Sequence, residues 1–272
     1  MQTISINFIV PHGWHELSDK QLRFVYQLLA DDFATDDKSC QREQSQACLD
    51  YAECSRFCWE EIKTLCLLQW SGTKVIGKQD SGSYLLKRGK LLFEVTPLTL
   101  AELLPHLDWL ASLPTVPVRI SKINRQNALQ ADFSEVPFET FIICDNLYQG
   151  YLQTQNDELL DQLGATLYGK AMTFKPYERI NIFYWFAALK DAFSRKYSDF
   201  FQPTSDAATG GNLLGSSAPS VEDAMNAQIR ALTKGDVTKE AEVLALDTHR
   251  ALTELNAQAR EYKELNAKMQ SK

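Results

Sequence analysis

The chain has 272 residues, 44% of them apolar and 23% charged, with a formal net charge of −7. That length and apolar share allow one large domain or two modest ones, and they exclude disorder throughout. The acidic balance, with a pI near 5.2, argues against a domain built to neutralise phosphates, which needs clustered Lys and Arg.

No apolar run approaches the ~20 residues of a bilayer span. The opening MQTISINFIV lacks the basic residue that starts a secretory signal. The expectation is therefore a soluble cytoplasmic protein whose partners are proteins, not nucleic acid or membrane.

Taken in order, Thr3 to Val10 alternates Ile4, Ile6 and Phe8 with polar residues, the period of a half-buried strand. Pro11 and Gly13 end it, and a turn carries an exposed aromatic at Trp14. Ser18 caps a helix whose Leu22, Val25, Tyr26 and Leu29 share one face. Asp31 to Gln46 is polar and reads as a loop. From Ala47 to Trp70 the residues Cys54, Phe57, Cys58, Ile62, Leu65, Cys66 and Trp70 trace a helical face.

The period then changes. Lys74 to Lys78, Tyr84 to Lys87 and Leu91 to Val95 are short β-type runs joined by Asp80-Ser81-Gly82-Ser83 and Arg88-Gly89, which predicts an antiparallel meander with the N-terminal strand completing its sheet. Thr99 and Glu102 form a capping box for a helix through Leu110, stopped by Pro114 and Pro117. Val118 to Ile123 is a weak strand or connector, and Gln126 to Val136 is irregular. Pro137 starts a helix to about Tyr151, and Asn156 caps another from Leu159 to Tyr168 that ends at Gly169.

The stretch from Phe174 to Phe201 reads as the central helix. Ile182, Phe186, Leu189, Phe193, Tyr197 and Phe200 recur at spacings of three and four, and a second stripe of Ile180, Phe183, Tyr184, Ala187 and Ala188 covers most of the remaining circumference of its first turns. Gln202 to Ser220 is rich in Gly, Ser, Ala, Thr and Pro, the composition of a flexible linker. Ser220 and Asp223 cap a helix through Leu232 that Gly235 breaks, and a long helical pattern follows from Thr238 to Met269. The map is 1–112, an α+β region with its meander at about 73–96; 113–201, a helical core; 202–220, a linker; and 221–272, a tethered helical tail. The fold class is mainly α with a small antiparallel β-meander.

No Gly-rich phosphate loop, nucleophile elbow, HExxH pattern or EF-hand loop is present, so no catalytic, cofactor-binding or metal residue is assigned. His12, His15, His106 and His249 are scattered, and His12 with His15 beside Trp14 reads as a pair of surface histidines. Cys40, Cys48, Cys54, Cys58 and Cys66 lie close together with Cys144 alone. Only Cys54 and Cys58 form a short pair, which is half of a structural zinc site. The bland reading is buried thiols in a helix; the alternative is a metal-binding or redox regulator centred on Cys54, Cys58 and Cys66.

The tail carries a heptad seam of Ala241, Ala245, Thr248, Leu252, Leu255, Ala259, Tyr262, Asn266 and Met269. A helix beyond a linker must bury such a stripe, by folding back on the body or by docking to a partner. The candidate partner-binding residues are Trp14, Leu252, Leu255, Tyr262 and Met269.

The segment Val10-Pro11-His12-Gly13-Trp14-His15-Glu16-Leu17-Ser18-Asp19-Lys20-Gln21 resembles the start of phage and prophage tail-assembly chaperones, which open with a strand, a Pro-x-x-Trp-x-Glu-Leu-[Ser/Thr] turn and a helix. The resemblance covers about the first thirty residues. It implies a non-enzymatic assembly or scaffold protein that binds phage structural proteins through helical surfaces, with no catalytic residues to carry over.

Overall fold

A computed structural model describes residues 7–39, 59–201, 229–233 and 235–270. The fold is mainly α with one three-stranded and one two-stranded antiparallel sheet. The chain divides into two compact units, one formed by Met1–Ile120 with Lys175–Tyr184, the other by Ser121–Phe174 with Trp185–Lys272. This grouping differs from the linear map. The central helix contributes to both units, and the tail belongs to the second.

In the first unit, helix α1 (Asp19–Ser39) starts where Ser18 and Gln21 bond each other, the Ser18 N–H and hydroxyl both donating to Gln21 Oε1 at 2.9 and 2.7 Å. Leu22, Val25, Tyr26 and Leu29 are buried. The helix runs on to Ser39, through the start of the stretch whose polarity reads as a loop. Polar composition is compatible with helix wherever one face stays wet. Helix α2 (Trp59–Trp70) buries Ile62, Cys66, Leu67, Leu68 and Trp70; the part of that predicted helix before Trp59 lies outside the described residues.

The meander is present. Strands β1 (Lys74–Lys78), β2 (Tyr84–Arg88) and β3 (Leu91–Val95) pair antiparallel in the order β1-β2-β3. Of the predicted N-terminal strand, residues 3–6 lie outside the described residues and 7–10 join no ladder; the Ile9 N–H donates to Ser71 Oγ at 2.9 Å. Helix α3 (Pro97–Leu103) starts three residues earlier than the Thr99 capping box predicts. Thr96 is the cap, its backbone extended and its hydroxyl accepting the Thr99 N–H, because Pro97 fits the first helical turn and has no N–H to satisfy. A 3₁₀ segment, Leu104–Ala111, follows.

Trp14 is 5% exposed, against the expectation of a surface aromatic. Its ring stacks on Tyr26 at 5.8 Å and meets Trp109 edge-on at 5.5 Å and Tyr184 at 5.8 Å, while its indole N–H donates to the Ser112 carbonyl at 2.9 Å. An indole with both its face and its N–H satisfied is a core residue. The Glu16 carboxylate accepts the His12 N–H at 2.8 Å and Leu17 is buried. The Pro-x-x-Trp-x-Glu-Leu-Ser turn thus seats the start of α1.

The second unit opens with a hairpin of β4 (Lys122–Ile123) and β5 (Gln126–Asn127), whose turn residues Asn124 and Arg125 both have positive φ, 46° and 68°, as a type I′ turn requires. Helices α4 (Phe138–Thr154) and α5 (Asp157–Tyr168) form an antiparallel pair. Asn156 caps α5 by accepting the Glu158 N–H at 3.0 Å, and Gly169 ends it at φ 69°.

Helix α6 (Pro176–Lys196) is the predicted central helix, followed by the short α7 (Ser198–Phe201). In the first unit its buried Asn181 accepts the Ile120 N–H at 2.8 Å. In the second, Trp185, Phe186, Leu189 and Phe193 are buried. Phe186 lies 6.1 Å from Phe133 and 5.2 Å from Tyr148, and Phe193 lies 5.5 Å from Phe141. Lys190 is paired with Asp145 at 2.7 Å.

Residues 202–228, with the predicted linker and the Ser220 cap, lie outside the described residues; 229–233 are helical. The long tail helix is broken. After a 3₁₀ turn (Val237–Lys239) and α8 (Glu240–Leu244), the chain leaves helical geometry at Ala245–Asp247 and re-enters it as α9 (Thr248–Gln270).

Candidate functional site

The break before α9 is where the tail is fastened to its unit. The Phe138 N–H donates to the Leu246 carbonyl at 2.8 Å, and the Thr248 N–H and hydroxyl donate to the Val136 carbonyl at 2.9 and 2.7 Å. The Asp247 carboxylate accepts the Glu135 N–H at 2.9 Å through one oxygen and the Arg250 N–H at 3.1 Å through the other. It therefore caps α9 and ties it to the preceding loop at once.

His249 adds a second tie. Its Nε2 is 2.9 Å from the Asp132 carbonyl, which only accepts, so Nε2 carries the proton and Nδ1 takes the Tyr197 hydroxyl at 2.8 Å. Lys196 Nζ is 3.3 Å from the same Nδ1, and the imidazole meets Phe193 edge-on at 5.3 Å. This cluster positions α9. Burial pushes the Asp132 carboxyl up, but the Ser134 hydroxyl and N–H that it accepts outweigh this and hold it below the usual carboxylate value.

Along α9 the stripe divides. Ala251, Leu252 and Leu255 are 0, 0 and 3% exposed. The tail therefore folds back on its own unit, and Leu252 and Leu255 are core residues instead of free partner contacts. Asn256 accepts the Phe200 N–H at 3.0 Å, and Lys263 pairs with Asp199 at 3.3 Å. Around and beyond that last tie, Tyr262, Leu265 and Met269 are 57, 55 and 72% exposed. Spaced three and four apart, they lie on one helical face. Of the candidate partner-binding residues, Tyr262 and Met269 are on the surface and lie together. Trp14 belongs to the first unit. Leu265 completes the stripe and was missed because it falls outside the heptad seam.

The first unit holds a groove of about 450 Å³ between α2, β1–β2 and α3, lined by Glu61, Lys63, Lys78, Tyr84, Leu100 and Asp108. Two ion pairs lie along it, Lys63 with Asp108 and Lys78 with Glu61 at 3.4 Å, and the exposed Glu60 lines it as well. Lys78 also sits 5.6 Å over the Tyr84 ring; Tyr84 first and Glu61 next hold its ammonium above the ordinary value.

His12, His15 and His106 are exposed. Cys66 and Cys144 are free and fully buried, and burial pushes both thiols well above their ordinary value, the reverse of what a reactive thiolate needs. Cys40, Cys48, Cys54 and Cys58 lie outside the described residues. Among the described residues no three His, Cys, Asp or Glu side chains are grouped to hold a metal ion, and no helix is long and apolar enough to cross a membrane.

The described residues define a mainly α protein with exposed apolar side chains at the end of α9 and on β3, among others scattered over its surface. Set against family models, curated proteins and solved structures, the chain matches none.

Proposed function

We propose that this is a non-enzymatic assembly or scaffold protein of the cytoplasm, of the tail-assembly chaperone kind, that holds a protein partner through the free end of α9. The observation that supports this reading is the Tyr262, Leu265 and Met269 stripe, exposed on a helix whose other half is fastened by buried leucines and paired backbone. An apolar stripe on a pre-ordered helix is the anchor of helix-in-groove recognition, and a helix already held in place loses little entropy when it binds. The resemblance carried by Pro11, Trp14, Glu16, Leu17 and Ser18 supports phage structural proteins as the partner class.

The test is co-purification of the full chain with virion structural proteins encoded by neighbouring genes. Wild type is expected to retain one of them, and the Tyr262→Ser/Met269→Ser double variant to lose it while keeping its helical content. Failure of wild type to retain any of them, or retention by the double variant as strong as by wild type, refutes the reading.

A further inference from the structure

The two edges of the meander are built differently. On β1 the register with β2 slips between Val75 and Gly77, and the exposed Lys74 and Lys78 flank the slip. A bulge with lysines is how a sheet edge is kept from pairing with another chain. β3 has neither device. It runs in unbroken register with β2, from Arg88↔Leu91 to Tyr84↔Val95, contains no proline, and exposes Leu91 and Leu92 at 46 and 63%.

The hairpin between them fixes which backbone groups are free. Its two-residue loop is Gly89-Lys90 with Gly89 at φ 61°, a type II′ arrangement in which the Arg88 carbonyl accepts the Leu91 N–H. Leu91, Phe93 and Val95 therefore turn their N–H and C=O groups toward β2. Leu92 and Glu94 turn theirs to the open edge.

We infer that β3 is a self-pairing edge: two copies of this chain join β3 to β3, antiparallel about a twofold axis through Leu92, into one six-stranded sheet. Charge selects both the occupant and the register. Lys90 and Glu94 stand symmetrically about Leu92, both exposed, and neither has an ion pair with another described residue. The twofold sets each Lys90 opposite the partner's Glu94, so the pair forms twice, with Leu92 opposite Leu92 and Leu91 opposite Phe93. A register moved by two residues sets Leu92 against Glu94 and loses both pairs. A strand from an unrelated protein has no reason to carry this pattern, whereas a second copy carries it by symmetry.

Sedimentation velocity of the full chain over about 1–100 µM, a range that resolves ordinary dimer affinities, tests this. Wild type is expected to dimerise. Glu94→Lys and Lys90→Glu, each turning two attractive cross-strand pairs into repulsive ones, are expected to raise the dimer Kd on the order of tenfold or more. The Lys90→Glu/Glu94→Lys double variant restores both pairs in swapped sense and is expected to recover the wild-type Kd.

Both positions are exposed, and circular dichroism checks that each variant is folded. Leu92→Pro, which removes an N–H used only at the open edge, is expected to abolish the dimer. A chain monomeric throughout the range, a dimer indifferent to Glu94→Lys and Leu92→Pro, or a double variant that fails to recover overturns the inference. None of these readouts involves the α9 stripe, so the outcome is independent of the function proposed above.

Discussion

Truncating Leu252 to Ala tests whether α9 is part of the second unit's core. Leu252 is fully buried and its neighbours Ala251 and Leu255 are 0 and 3% exposed, so the site has no solvent to fill a void. Three carbons are lost beyond Cβ, worth about 2.4 kcal/mol at roughly 0.8 per methylene-sized group. A residual cavity on the order of 50 Å³, at about 24 cal/mol per Å³, adds about 1 kcal/mol. The total of about 3.5 kcal/mol is a large share of a stability of about 5–15 kcal/mol. At about 2–4 °C per kcal/mol it lowers the melting temperature by about 7–14 °C.

The assay is thermal and urea unfolding of the full chain followed by circular dichroism. Met269→Ala, on the same helix but 72% exposed, serves as the control and is expected to change stability by less than about 0.5 kcal/mol. Equal stability of Leu252→Ala and wild type would mean that α9 is not docked, and the fastening by Asp247, Thr248 and His249 would lose its energetic meaning.

Phe186→Ala, at a ring packed among Phe133, Phe141 and Tyr148, is expected to cost about 3–5 kcal/mol; an unchanged urea midpoint refutes its place in the core. Cys66 and Cys144 are expected to resist alkylation in the native protein and to react once it is unfolded, which mass mapping after iodoacetamide reads directly; native labelling of either contradicts its burial. The Asp132 carboxyl is held low in the folded state, so its contribution is present above the unfolded value of about 4 and is lost as pH falls through the lower folded value. Asp132→Asn is therefore expected to flatten the acid side of the stability profile in that window, and an acid limb identical to wild type refutes it.

What the sequence discloses here is local chemistry. Asn156 and Gly169 mark the ends of α5, and Gly89 marks the β2–β3 hairpin, because a cap or a turn is decided by a few neighbouring residues. Trp14 is misread for the opposite reason: its burial depends on Trp109 and the Ser112 carbonyl, about a hundred positions away. Asp247 breaks a stretch whose composition is helical throughout, since its bond to the Glu135 N–H spans 112 positions. Of the candidate site, the stripe from Leu252 to Met269 is legible as a period. Periodicity says that a face exists; it does not say which half of that face the rest of the chain will cover.

The discontinuity of the first unit sets an order for folding on the ribosome. Residues up to Ile120 lack the segment Lys175–Tyr184, and with it the Tyr184 ring against Trp14 and Tyr26 and the Asn181 oxygen that receives the Ile120 N–H. Residue 184 is added 64 positions after residue 120, which at about 5–20 residues/s takes on the order of 3–13 s. During that interval Trp14 and Tyr26 are without one wall of their pocket, while 121–174 of the other unit are already being made. The first unit to be started therefore cannot be completed until the second is well under way, and a chain released at Ile120 is a fragment with an open aromatic core.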